Sequence, residues 1–441
     1  MKSSIITVLR LICMLQIFVW CGCSLETTEY FVSPNGHDRN SGDEQHPLAT
    51  LEQAKTLAFT DLSTGVRKQI TIWLETGEYR IKNPIHFSSS DLPTAGFNLT
   101  IKCKEKGEAI VSGAILLDQW YPLQKNLWAL DLDQLENAPT YLRELFINGK
   151  RAPRARFPNQ GYLRAEKVGE DKRTYFYFKK GDFPIPRSVQ QTELTLLHDW
   201  SITRIPIAVI DTQDNLIRAK DTIGAKVLNF FTLDNWELQP RYFLENDSAF
   251  IDQDYEWCYD SEADRVLLQI PEEQNIDSLH ILIPLSEGLI KMTGSFDKPL
   301  KNIHFENLIF RHSAWNLPTS GYAGIQATYH DPRPDQAKGW SVVPAAIYAE
   351  FTDSCSFINC SLENLGGSGL WLDRGCADNR VSNCTFSDIS GNGIMIGEGQ
   401  HRVVHGEPWW KTVPNEAARN NLIETCQIND CGIQFFGAVG I

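Results

Sequence analysis

The chain has 441 residues, with 41 basic and 55 acidic side chains for a net charge of −14, and 42% of its residues are hydrophobic. That acidic balance excludes nucleic acid and any polyanion gripped by bulk charge, while leaving local basic patches possible. The length suits two or three domains, or one solenoid carrying an insertion, and the hydrophobic fraction allows a sizeable core.

Lys2 and Arg10 precede an apolar run over 11–19. That run has the length of a signal-peptide core and is too short to span a bilayer. It ends in Trp20-Cys21-Gly22-Cys23-Ser24. Residues 1–23 are therefore read as a lipoprotein-type export signal with Cys23 as the lipidated residue, simple secretion being the alternative. The expected location is the outer membrane or cell surface, or else the periplasm or medium. A lipid anchor would then be the only membrane contact.

Residues 28–113 read as a cap followed by the first coils of a solenoid. Thr50-Leu-Glu-Gln53 fits a capping box opening a helix to about residue 59. Strand-like runs follow at 70–74, 78–81, 99–102 and 109–111. A helix over the first coil would cover edges that otherwise stay unpaired. Over 114–295 the rhythm changes: runs at 142–147, 175–178, 194–197, 265–270 and 279–283 share no fixed period. This is the pattern of an inserted, mainly antiparallel β domain.

Periodicity returns in 296–441. Asn307-Leu-Ile-Phe-Arg-His312, Asn359-Cys-Ser-Leu-Glu-Asn364, Asn383-Cys-Thr-Phe-Ser-Asp388 and Thr425-Cys-Gln-Ile-Asn-Asp430 repeat one motif, apolar residues two apart ending in a turn former. Starts 359 and 383 lie 24 residues apart, and the other spacings of 52 and 42 leave room for loops. Such self-similarity predicts an all-β right-handed parallel β-helix, each coil burying its apolar face on its neighbours. Cys360, Cys384 and Cys426 share one register position and should stack as small buried side chains rather than form disulfides. With no Cys-x-x-Cys or His-rich spacing, neither zinc nor any other cofactor is expected. The last residues, Gly437-Ala-Val-Gly-Ile441, read as the start of another coil, and further C-terminal coils are expected beyond it.

Carrying the 24-residue offset across the coil aligns Ala346, Leu370 and Ile394 as strand starts. On that alignment Tyr348 and Leu372 face the core, while Trp371 and Asp373 face outward. Glu350, Arg374 and Glu398 form the next column. Glycosidic bond cleavage commonly uses two carboxyl groups, one donating a proton. Asp373 and Glu398 are therefore the leading acid/base candidates, with Glu350 in reserve. Adjacent coils would place the leading pair roughly 5–8 Å apart, a span covering both stereochemical courses. Long loops in a compact solenoid are usually functional or disordered, and aromatics favour function. The first, 313–344, carries His330 among its aromatics; the second, 399–419, carries His401, Arg402, His405, Trp409, Trp410 and Lys411. Trp371, Arg374, His401, His405, Trp409, Trp410 and His330 are the candidate sugar contacts. His312, matched by Asn364, Asp388 and Asp430, is read as a turn residue.

Several motifs together resemble a known family. They are Tyr30-Phe-Val-Ser-Pro-Asn-Gly, Pro47-Leu-Ala-Thr-Leu51 and Leu145-Phe-Ile-Asn-Gly-Lys-Arg-Ala-Pro-Arg-Ala-Arg-Phe-Pro-Asn159, with Trp257-Cys-Tyr-Asp260, Arg265-Val-Leu-Leu-Gln-Ile-Pro271 and Gly391-Asn-Gly-Ile394. The chain is similar to exported bacterial β-helix proteins of glycoside hydrolase family 141, which includes fucosidases and xylanases. The resemblance implies a pectate-lyase-like solenoid and hydrolysis of a plant-type or host glycan. It transfers no catalytic residue, and it leaves open whether the family's acid and base lie in this chain or in coils beyond Ile441. Two alternatives stand beside it. One is a polysaccharide lyase, with Arg374, Arg402 or Lys411 abstracting a proton and calcium near Asp373. The other is a carbohydrate-binding solenoid without turnover.

Overall fold

The computed structural model describes residues 26–63, 68–92, 96–135, 142–226, 228, 231–333 and 339–441. The export signal and Cys23 lie outside them. Among the described residues, three parallel sheets of seven, six and five strands wind into a β-helix. One coil runs through Ser356–Ile358 in the first sheet, Ser361–Leu365 in the second and Ser368–Leu372 in the third. The next repeats it with Arg380–Ser382, Thr385–Ile389 and Ile394–Ile396.

The repeated motif occupies the second sheet, where Phe310, Leu362, Phe386 and Ile428 pair in one column. Asn307, Asn359, Asn383 and Thr425 open the motif at φ between 54° and 61°, a left-handed turn that asparagine tolerates. The Asn359 amide donates to the Asn307 carbonyl at 3.1 Å. His312, Asn364, Asp388 and Asp430 close the motif in the same conformation. The cysteine ladder is present: the Cys360 and Cys384 thiols donate to the Phe305 and Phe357 carbonyls of the preceding coil at 3.5 and 3.4 Å. At the start of the solenoid, the Thr50 hydroxyl accepts the Gln53 amide and caps the helix Leu51–Leu62. Leu51, Ala54, Ala58 and Leu62 of that helix bury in one core with Val32, Ile70 and Leu99.

Residues 114–284 leave the coil between the second and third sheets and build antiparallel sheets, supplying eight strands of the largest, which has nine among the described residues. The 313–344 loop leaves from the same corner one coil later. Its strand Tyr322–Ala323 is the ninth strand of that sheet, pairing with Arg204 and Thr203. A hydrogen bond and an ion pair tie the inserted region to the solenoid. Arg143 grips Glu193 at 2.7 Å and donates to Gln434, and Arg151 reaches Asp388 at 2.9 Å. The C-terminal residues continue the winding, since the Ile394 amide donates to the Gly440 carbonyl at 2.9 Å.

Candidate active site

The third sheet carries the candidate carboxylates, and its register differs from the 24-residue expectation. Ile347 pairs with Leu370, and Leu370 with Ile394, so the first step is 23 residues. The reason is local. The turn after Leu372, through Arg374 and the left-handed Gly375, is one residue longer than the turn after Ala349. A slip of one residue exchanges the two faces of a strand. Tyr348 therefore stands outside rather than in the core, beside Trp371, and Glu350 falls in register with Asp373, while its carboxylate still reaches Arg374.

This outer row makes a compact cluster. The Tyr348 hydroxyl donates to Asp373 Oδ2 at 2.7 Å, and the Tyr348 ring meets Trp371 edge-on at 5.5 Å. The Trp371 indole donates to the Gly397 carbonyl at 2.9 Å, which fixes its plane. Asp373 was expected to face solvent, yet it is only 8% exposed, and its Oδ1 is buried with no hydrogen-bond partner. Burial pushes its carboxyl up to about 6, against the lowering effect of the Tyr348 hydrogen bond, with the Glu350 and Glu398 charges adding to the rise. A buried carboxyl group disfavours its charged form.

Glu398 stands at the end of the neighbouring strand, and Arg402 grips both its oxygens at 2.7 Å. Arg402 also holds Glu416 at 2.8 Å, and these acids raise its own pKa. Glu350, the reserve candidate, is engaged by Arg374 in an ion pair. Each arginine in the cluster is thus committed to a carboxylate. The cleft beside Trp371 and Glu398 has a volume of about 280 Å³ and is lined also by Tyr329, Val342, Asn392 and Met395.

The two loops converge over this cleft. Burial raises the pKa of Tyr329, from the first loop, and the nearby Asp373 and Glu398 charges add to the rise. Its ring packs on the second loop at Gly399, where an added Cβ would meet the phenol oxygen at 2.6 Å. His401 is exposed and sits between Tyr329 at 6.1 Å and Trp340 at 6.2 Å. The Trp409 indole donates to the Gly399 carbonyl at 2.9 Å, and Trp410, 42% exposed, meets Trp409 edge-on.

Two expected sugar contacts lie elsewhere. His330 is buried against Trp315 and Tyr322, in the part of the first loop that packs on the inserted region. His405 forms, with Gly406, the left-handed two-residue tip of the hairpin joining Val403–Val404 to Glu407–Pro408. Tyr348 and Tyr329 are the residues that sequence reasoning missed. The 23-residue spacing of the apolar pairs Ile347/Leu370 and Ala349/Leu372 was the signal for Tyr348. No pattern in the sequence marked Tyr329 apart from its neighbours.

Comparison with known proteins accords with the winding. Residues 301–407 and 340–441 match the family described as right handed beta helix region. A solved structure described as a glycoside hydrolase superposes with a TM-score of 0.81 at 23% identity, covering 93% of this chain and 75% of that one. Another, a complex of XylC with xylose, aligns at a TM-score of 0.43 and 11% identity over 93% of this chain and 55% of that one. No curated protein matches the sequence. The described solenoid is a right-handed parallel β-helix carrying an insertion of antiparallel sheets.

Proposed function

We propose that the chain hydrolyses a glycosidic bond in a plant-type or host glycan, with Asp373 as proton donor and Glu398 as the partner carboxylate. One observation carries this reading. A buried carboxyl group, shifted to about 6 and hydrogen-bonded by Tyr348, neighbours a second carboxylate clamped by Arg402. Two carboxyl groups in contrasting environments divide the acid and base roles near neutral pH. Asp373 would protonate the leaving oxygen, while Glu398 attacks the anomeric carbon or takes a proton from the attacking water. Trp371, Tyr329, His401 and Trp409 would hold the sugar rings. The solved glycoside hydrolase of the same fold supports the same reaction class.

The lyase alternative needs an arginine or lysine in its uncharged form to accept a proton, and a carboxylate partner holds such a side chain in its charged form. Arg374 and Arg402 are both engaged by carboxylates, and Lys411 pairs with Glu407 at 3.5 Å, which favours hydrolysis. Export with Cys23 lipidated fits a polymeric substrate outside the cell. The test is incubation with defined oligosaccharides, reading reducing ends and absorbance of unsaturated products. New reducing ends without such absorbance, lost in Asp373→Asn, support hydrolysis; unsaturated products overturn it.

A further inference from the structure

The outer face of the first sheet has a feature that the hydrolytic site does not use. One column across successive coils runs Glu29, Thr71, Thr100, His304, Ser356 and Arg380. Its middle members are short, and although they point outward, Thr71, Thr100 and Ser356 are only 9%, 8% and 7% exposed. The next column, Phe31, Trp73, Lys102, Glu306 and Ile358, carries longer side chains. A floor of small hydroxyl residues beside a taller wall makes a trough. Two concavities mark it, one of about 490 Å³ over Thr71, Thr100, His304 and Ser356 and one of about 640 Å³ around Phe31 and Trp73 on the neighbouring column.

The floor is held in place. The Asn98 amide donates to His304 Nε2 at 3.1 Å, which leaves the imidazole proton on Nδ1, donated to Ser356 Oγ at 2.8 Å. Burial lowers the His304 pKa, which keeps the ring neutral. The Trp73 indole donates to Glu29 at 3.0 Å, with the Lys102 ammonium 4.5 Å from the ring centre.

We propose that this trough is a second glycan-binding surface, taking a neutral polysaccharide laid along the solenoid axis. Three observations choose that occupant. Hydroxyl, amide and imidazole groups aligned beside half-buried aromatics match the alternating polar rims and C–H faces of pyranose rings. The floor repeats once per coil, about 4.8 Å, an interval close to the advance per sugar in an extended chain. Carboxylates outnumber cations along it, with Glu29, Glu44, Glu75 and Glu108 lining one part and Glu306 and Asp378 the other. That balance disfavours an acidic glycan. The surface belongs to a different sheet from Asp373, so it would anchor a long substrate without touching the bond being cleaved. The glycan identity rests on the hydrolase reading; the existence of the trough does not.

The test is affinity electrophoresis of the full chain in gels containing neutral xylan, mixed-linkage glucan or polygalacturonate, alongside hydrolysis of a short oligosaccharide. Wild type should be retarded by a neutral polymer and not by polygalacturonate. Trp73→Ala and Thr100→Glu should each weaken retardation at least tenfold while short-substrate hydrolysis is unchanged. Undiminished retardation in both variants overturns the proposal. So does retardation lost only in Asp373→Asn, preferential retardation by polygalacturonate, or a dimer in light scattering that Thr100→Glu dissolves. Retardation that depends on Trp73 without hydrolysis of any substrate upholds the trough and removes the hydrolase reading instead.

Discussion

The hydroxyl of Tyr348 donates to Asp373 Oδ2 at 2.7 Å, across the two adjacent strands whose pairing puts both residues on the outer row. This bond favours the charged carboxylate and opposes the effect of burial. Tyr348→Phe removes it, so the Asp373 pKa should rise above about 6. A hydrogen bond of this kind contributes about 1 kcal/mol, or somewhat under one pH unit. The alkaline limb of the pH–rate profile, which reports the proton donor, should move up by that amount.

Asp373 also gives stability a particular pH dependence. Its folded pKa of about 6 lies above the ordinary 3.8, so folding favours the protonated form. The stabilisation is fully present below about pH 4 and is lost as pH rises through 6. Over that window the cost is about 3 kcal/mol. Asp373→Asn keeps an acceptor for Tyr348 and has no charge to bury. Its melting temperature should exceed that of wild type at pH 8 and match it near pH 4, measured by calorimetry. Equal offsets at both pH values would count against a buried, uplifted carboxyl group.

Arg402 grips Glu398 with two bonds from one guanidinium, a geometry lysine cannot copy. Arg402→Lys should therefore lower kcat/KM nearly as much as Arg402→Ala, by about 10- to 100-fold, the scale of a lost charged contact. Recovery of full activity by lysine would show that only the charge matters.

His312 closes its motif at φ 61° and is buried, with its pKa pushed down to about 4. A histidine neutral in the fold but ordinary when unfolded removes stability as pH falls from 6.5 towards 4. The register-matched residue in the next coil is Asn364, which tolerates the same backbone. His312→Asn should flatten the decline between pH 6.5 and 4 in urea denaturation, while losing some packing against Phe146 at pH 8.

The solenoid was legible because its coils repeat. Cys360, Cys384 and Cys426 marked one column, and Asn307, Asn359 and Asn383 marked the turn that sets it. The third sheet was less legible because one extra residue near Arg374 and Gly375 changes the step from 24 to 23, and the sequence has no mark for which turn absorbs it. That slip hid Tyr348 and shifted the register of Glu350 by one residue, though its ion pair with Arg374 survives. The burial of Asp373 was also hidden, since the same slip brings the Tyr348 side chain against it. Tyr329 reaches the cleft because Gly399 leaves space for its ring. His330, one residue later, turns instead into the aromatic packing around Trp315, and neighbours in a loop carry no period that tells them apart.

The most direct measurement is hydrolysis of a cleaved oligosaccharide by wild type, Asp373→Asn and Glu398→Gln, with folding of each verified by circular dichroism. Loss of a positioned acid or base costs roughly a hundredfold or more, and both folded variants should show at least that drop. Wild-type rates in both would contradict the pairing of Asp373 with Glu398 as the catalytic carboxyl groups.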